Sequence, residues 1–259
     1  MLLKFVALKN RFLFRNIISD AISGFLFVII QISFFTNFVV DRLDYETHTA
    51  IIYFVYSFIL SACCASRVAE GIPALYLRKA FSKKLLFARS YFWYMLKYNV
   101  ANKFFLFCLF SFLFIIIGFP IGIFSNEIIT HLPCFSLSVV LSFFIDVALR
   151  IILGLVIMKN HNFTILAKTY NQIDRILSGA IVPVSFLPAI IQNIFFCLPF
   201  YFLIFFPLEV LIDGVIMVTI SNKDINGIVV QGMLAISLVF IARVFFSLRI
   251  KKLQREGTL

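Results

Sequence analysis

The chain has 259 residues, of which 62% are hydrophobic and 14% charged, against about 25% charged in ordinary soluble domains. Together with a mean hydropathy of +1.04, this excludes a soluble globular protein and predicts an all-α membrane protein with several spans. The net charge of +11 then belongs to loops facing an anionic inner leaflet, and no nucleic-acid partner is expected.

The N-terminal stretch MLLKFVALKNRFLFRNIISD spreads its basic residues through Arg15 and leads into a span-length apolar run without a small-residue cleavage site. It reads as a retained, basic, amphipathic cytoplasmic arm, not as a signal peptide. Apolar runs follow at 21–40 and 50–65, separated by a short acidic outer loop at 41–49. The one substantial soluble stretch is 66–103. Within it Leu77, Phe81, Leu85, Ala88 and Phe92 recur at helical spacing beside Arg78, Lys79 and Lys83, the pattern of a basic amphipathic helix. Such a helix suits the anionic inner leaflet and the surface of a soluble partner equally well. Glu70 is the sole acid of this stretch and precedes Gly71 and Pro73. It is placed near a helix start, where the dipole favours an acid.

Two further apolar runs, 104–124 and 133–158, flank a still shorter outer loop at 125–132. The second run carries Asp146 and Arg150 four residues apart, on one helix face where they can pair. Ionisable groups at membrane depth are costly in lipid and are functional candidates. The plainer reading of this candidate ion pair is a self-satisfied contact facing other helices. The richer one is a polar patch on a substrate path.

From 176 to 208 the chain reads ILSGAIVPVSFLPAIIQNIFFCLPFYFLIFFPL, with no charged side chain. A crossing takes about 20 apolar residues, so this run exceeds one crossing and falls short of two. It is cut by Pro183, Pro188, Pro199 and Pro207, each of which removes a backbone donor and breaks helix. Broken helix at membrane depth is tolerated only where protein or a water-filled cavity covers it. The expectation is a span followed by a re-entrant element, with 192–213 dipping into the outer leaflet and returning. Glu209 and Asp213 lie near its end, as interfacial residues or as an acidic rim. Asn171, Gln172, Gln192 and Asn193 flank the broken segment, as partners for exposed backbone or as helix ends. The last apolar run, 227–248, leads into the basic tail RIKKLQREGTL.

Counting the broken segment once gives six crossings with both termini cytoplasmic. All but three of the 23 Lys and Arg then fall in inside segments. Arg42 and Lys223 lie outside, and Arg150 lies within a span. Seven crossings would put the basic tail outside, against the positive-inside bias. His48, His131 and His161 are assigned to different loops, and no metal spacing occurs. Cys63, Cys64, Cys108, Cys134 and Cys197 form no CxxC pair and read as small buried hydrophobes. No metal or cofactor is expected. There is no G-x-x-x-x-G-K-[ST] phosphate loop, so the chain is not expected to be an enzyme. If it serves ATP-driven transport, the hydrolysing motor is a separate polypeptide.

The segment SGAIVPVSFLPAIIQNIFFCLPFYFLIFFPLEVLIDG resembles a signature of type-two ABC exporter permeases, through Ser178, Gly179, Pro183, Leu187, Pro188, Leu198, Pro199, Phe200, Phe206, Pro207 and Gly214. The stretch EGIPALYLRKAFS is similar to a second pattern of that family, through Glu70, Gly71, Tyr76, Leu77 and Ser82. It departs from that pattern at Ala80, where the family often has proline, and Lys79 is the nearest basic residue to the family's arginine. The resemblance implies a single transmembrane permease domain over 1–259, in the inner or plasma membrane. It implies a six-helix half-channel that pairs with a second permease chain, identical or different. It implies a cytoplasmic coupling region at about 66–103, in which Glu70, Gly71, Leu77, Arg78, Lys79 and Lys83 engage a separate ATPase subunit. It also implies an outer re-entrant element at about 188–213, carrying Pro188, Pro199, Phe200 and Pro207. A secondary transporter and a non-transporting membrane scaffold or assembly factor are the alternatives.

Overall fold

A computed structural model describes residues 26, 29–31, 33, 47–64, 68–77, 88–118, 126–214, 217–220 and 223–255. The chain divides into two compact units, Met1–Phe58 and Ile59–Leu259. Most of the first apolar run and Arg78, Lys79 and Lys83 lie outside the described residues. The described elements are α1 (Thr47–Cys64), α2 (Val68–Leu77), α3 (Ala88–Gly118), α4 (Asn126–Val156) and α5 (Phe163–Leu177). A 3-10 turn (Val184–Phe186), α6 (Ala189–Phe196) and α7 (Phe205–Ile212) follow. Then come a hairpin of β1 (Met217–Ile220) and β2 (Lys223–Asn226), and α8 (Gly227–Arg255). Among the described residues, four stretches are long and apolar enough to cross a membrane: Ile51–Leu77, Tyr91–Ile116, Ile128–Val156 and Gly227–Arg255.

In the first unit, the described part is chiefly the start of α1, where Tyr53 meets Phe54 edge-on at 5.4 Å between ring centroids. In the second unit, α4 is the central helix, and α2, α3, α7 and α8 all pack against it. Its Phe143, Ile145, Val147, Ala148 and Ile151 are fully buried. By contrast α3 and α8 leave Phe105, Phe112, Ile236 and Phe240 more than half exposed. Helices that are apolar all round and exposed on one side are suited to lipid.

The neighbours of α4 alternate in direction. Along α3, Lys103 meets Asp146, and Phe107 then meets Phe143 and Phe135, so α3 is antiparallel to α4. The segment from the end of α5 to α7 also descends along α4. Asp174 meets Arg150, the Phe202 carbonyl meets Ser142, and the Leu211 carbonyl lies 3.4 Å from His131 Nδ1. At 1.5 Å per residue, Arg150 to His131 is about 28 Å of α4, close to the thickness of a bilayer core. Helix α8 then returns, with Gln231 beside Ser138 and Ser142 and Phe246 beside Tyr91 and Phe92 of α3.

The descending segment is not one helix. Helix α5 stops at Ser178, and the chain leaves through Gly179 at φ +79. It makes the 3-10 turn and α6, then comes back so that Phe205 N–H donates to the Ser178 carbonyl at 3.1 Å. The excursion 179–204 therefore starts and ends at one point, and α7 resumes the descent. Pro188 occupies the N-cap of α6. Pro207 sits in the first turn of α7, where a missing N–H leaves no helical bond unmade. Six of the eight residues of α7 are buried, which is what a short helix apolar at every position but Glu209 requires.

Several sequence expectations shift. The third apolar run was placed at 104–124, but its helix begins at Ala88. Lys97 and Lys103 therefore belong to a helix and not to a loop. Residues 126–132 of the expected second outer loop form the first turns of α4, which continues through Pro133. His131 accordingly sits on a helix. The segment 176–208 contains no helix long enough to cross; its longest is eight residues. A short hairpin joins α7 to α8, with Met217 paired to Asn226 and Ile220 to Lys223. Asn226 Oδ1 then accepts from the Ile228 and Val229 N–H groups at 3.1 and 3.3 Å, capping α8.

Candidate functional site

Four ionisable side chains meet where α3, α4 and α5 converge on the end of α1. Lys103 Nζ lies 2.6 Å from Asp146 Oδ2 and donates to the carbonyls of Cys63 and Cys64 at 2.9 and 3.2 Å. Those carbonyls end α1, where the helix dipole favours a cation, so all three ammonium protons have acceptors. Arg150 Nε donates to both oxygens of Asp146, at 2.8 and 3.0 Å. Its Nη2 donates to Asp174 Oδ2 at 3.0 Å and its Nη1 to Asn171 Oδ1 at 2.5 Å. The guanidinium also stands 5.5 Å from the centre of the Tyr170 ring.

Lys103, Asp146, Arg150 and Asp174 are each no more than 5% exposed. Two positive and two negative groups cancel. Desolvating four charges is costly, and only close pairing with the remaining hydrogen bonds satisfied offsets it. The pairing is nearly complete, but Asp174 Oδ1 and the Tyr170 hydroxyl are buried without a hydrogen-bond partner. The cluster fastens the start of the broken segment to α4.

A neutral network fastens its middle. Gln231 Nε2 of α8 donates to the Ser138 carbonyl at 2.9 Å, to Ser142 Oγ at 3.0 Å and to the Phe202 carbonyl at 3.0 Å. Ser138 Oγ donates to Gln231 Oε1 at 2.8 Å. Phe202 belongs to the turn before α7, outside any helix, so its carbonyl needs such side-chain donors. At the far end, Tyr201 Oη donates to Glu209 Oε2 at 2.7 Å. Asp213, just past α7, has its carboxyl pushed up by partial burial, against the opposing pull of His131.

Beside the charge cluster lies an open cleft of about 610 Å³. One wall is the face of α3 bearing Tyr91, Tyr98, Asn99 and Asn102, with Lys103 at its edge; Gly71 and Ile72 of α2 lie opposite. Tyr94 and Tyr98 stack at 5.9 Å.

The residues singled out from sequence are dispersed. Glu70 is in the first turn of α2, Gly71 is exposed there, and Leu77 is its last residue. Helix α2 rests closely on α4: a Cβ on Gly154 would stand 3.1 Å from both the Ala69 carbonyl and Ile72 Cδ1. Pro199 and Phe200 fall in the turn after α6, and the Phe200 ring lies 6.0 Å from Tyr170. Asp146 and Arg150 are paired, but within a larger cluster. Sequence reasoning missed Lys103, Asp174 and Gln231. For Asp174 a signal was present: Ala167, Tyr170, Asn171 and Asp174 recur on one face of α5 at helical spacing. No known protein-family profile matches the chain, and no curated protein matches it.

Proposed function

We propose that the chain is the membrane-embedded permease subunit of an ATP-driven exporter of the type-two ABC kind, with six crossings and both termini in the cytosol. The observation that carries this reading is the broken stretch after α5, whose excursion over 179–204 returns to Ser178 before α7 resumes. A protein that only anchors something gains nothing from opening a helix at membrane depth. A split crossing whose bared carbonyl is held by Ser142 and Gln231 has irregular backbone covered by protein, the condition for tolerating it. It also supplies two short rods, α6 and α7, that can shift against each other, as discontinuous helices do in transporters.

In this reading, two permease chains enclose a path and separate ATPase subunits close on ATP. The movement enters through the region from Glu70 to Lys83, whose described part, α2, is seated against Gly154 of α4. The permease contributes shape and differential binding, since a partner shifts a conformational equilibrium only through such a difference. The test is affinity purification of the full chain from its native membrane. A co-purifying ATP-binding protein supports the reading, and its absence opposes it. The triple reversal R78E/K79E/K83E is expected to abolish that association. If the variant keeps the ATPase bound and transport intact, the coupling assignment fails.

A second reading rests on a different observation. The four buried charges at Lys103, Asp146, Arg150 and Asp174 suit an ion-coupled secondary transporter, because intramembrane acids and bases mark ion pathways. Transport that persists without any ATP-binding partner and collapses with the proton gradient would select it.

A further inference from the structure

We infer that α5 is an interfacial helix that lies against the inner leaflet and recruits anionic phospholipid through Lys168 and Arg175. The inference rests on the membrane-embedded reading above and adds a surface and a ligand to it. Helix α5 divides into three stripes. Ala167 and Asp174 are buried and face the protein. Ile165, Leu166, Ile173 and Ile176 are 62%, 38%, 46% and 57% exposed. Lys168, Gln172 and Arg175 are also exposed. At 3.6 residues per turn, the exposed apolar stripe and the basic stripe are separated by about 120° around the helix.

That division fits neither a fully aqueous nor a fully lipid-covered helix. Water leaves four large apolar side chains unpaired; hydrocarbon desolvates two cations. At the boundary each stripe meets its own medium, with apolar side chains among acyl chains and basic ones among headgroups. The position agrees. Helix α4 ends at Val156, and α5 begins seven residues later, after a turn carrying Lys159 and His161. The same end of the second unit receives the exposed Lys251, Lys252 and Arg255 of α8, since Phe246 packs beside Tyr91 and Phe92 near the start of α3. The only acid on α5, Asp174, is turned inward onto Arg150, so the outward charge of the helix is entirely positive. That surface complements phosphatidylglycerol or another anionic lipid, and it repels a basic protein surface.

The test uses the full chain in nanodiscs of phosphatidylcholine and phosphatidylglycerol. Its one native tryptophan, Trp93, is replaced by Phe, and single tryptophans are placed by Ile173→Trp, Lys168→Trp and Phe240→Trp. The tryptophan at 173 is expected to be quenched by lipid brominated high on the chain, and the one at 168 by aqueous iodide. In mixed discs, brominated phosphatidylglycerol should quench at 173 more than brominated phosphatidylcholine at equal mole fraction. Local enrichment is expected to be about fivefold for each basic residue near the surface, and K168Q/R175Q should abolish it. Iodide quenching at 173, quenching there by neither agent (a protein partner covering the helix), or no preference between the two lipids each overturns the proposal. Phe240→Trp separates the premises. If it is quenched by lipid and 173 is not, only the interfacial assignment falls; if neither is quenched, the membrane-embedded reading falls as well.

Discussion

At the scale of single residues, the charge cluster makes the sharpest demand. Lys103→Met strips an ammonium from Asp146 and leaves the Cys63 and Cys64 carbonyls without their donor. Removing one partner of a buried pair costs about 3–5 kcal/mol, and the thermal midpoint in detergent should fall accordingly. Because Lys103 and Asp146 share one contact, K103M/D146N should cost less than the sum of the two single changes, a non-additivity that a double-mutant cycle measures. Gln231→Leu acts on neutral groups. It strands the Ser138 hydroxyl and takes one of two donors from the Phe202 carbonyl, at about 1–3 kcal/mol for a group left unsatisfied. A loss within 0.5 kcal/mol would show that the network is incidental.

At the scale of elements, two glycines govern how parts meet. Gly179 adopts φ +79, and a Cβ there would stand 3.1 Å from Phe205 Cβ and 3.2 Å from Val184 Cγ2. Gly179→Ala therefore carries left-handed strain of about 1–2 kcal/mol in addition to a close contact. It should loosen the Phe205–Ser178 closure, read as faster proteolysis within 179–204. Gly154→Leu pushes α2 off α4 without touching a charge. On the permease reading it should weaken ATPase association while leaving α5 and α7 in place, and unchanged association would separate α2 from coupling. Much at this scale was legible in the sequence. Long apolar runs announced α4 and α8, and the prolines announced that 176–208 is not one helix. The pairing of Asp146 with Arg150 was legible because it lies within one helical turn. What stayed hidden depends on chain segments distant in sequence. Lys97 and Lys103 read as loop markers by composition, yet Lys97 is exposed on α3 and Lys103 is buried by partners on α1 and α4. Asp174 likewise gains its meaning only once α5 folds back onto Arg150.

At the scale of the molecule, the alternation of α3, α4, the split segment and α8 sets opposite ends apart. The hairpin at 217–226 and the basic end of α8 emerge at opposite ends of the descent from Arg150 to His131. In a background with Cys108 and Cys197 changed to serine, a membrane-impermeant thiol reagent applied outside intact cells should label Lys223→Cys and spare Lys252→Cys. The reverse pattern, or labelling of both, contradicts six crossings with an inward C-terminus.

The Lys103–Asp146 bridge also bears on biogenesis. Without Asp146, Lys103 near the centre of Tyr91–Ile116 opposes release of that segment from the translocon into lipid, by about 3 kcal/mol on insertion scales. Helix α3 should therefore linger in the translocon until α4 is synthesised, so that the two partition as a neutralised hairpin. Glycosylation mapping of nascent chains would register this as better integration of α3 when α4 follows it, and as a loss of that benefit in Asp146→Lys.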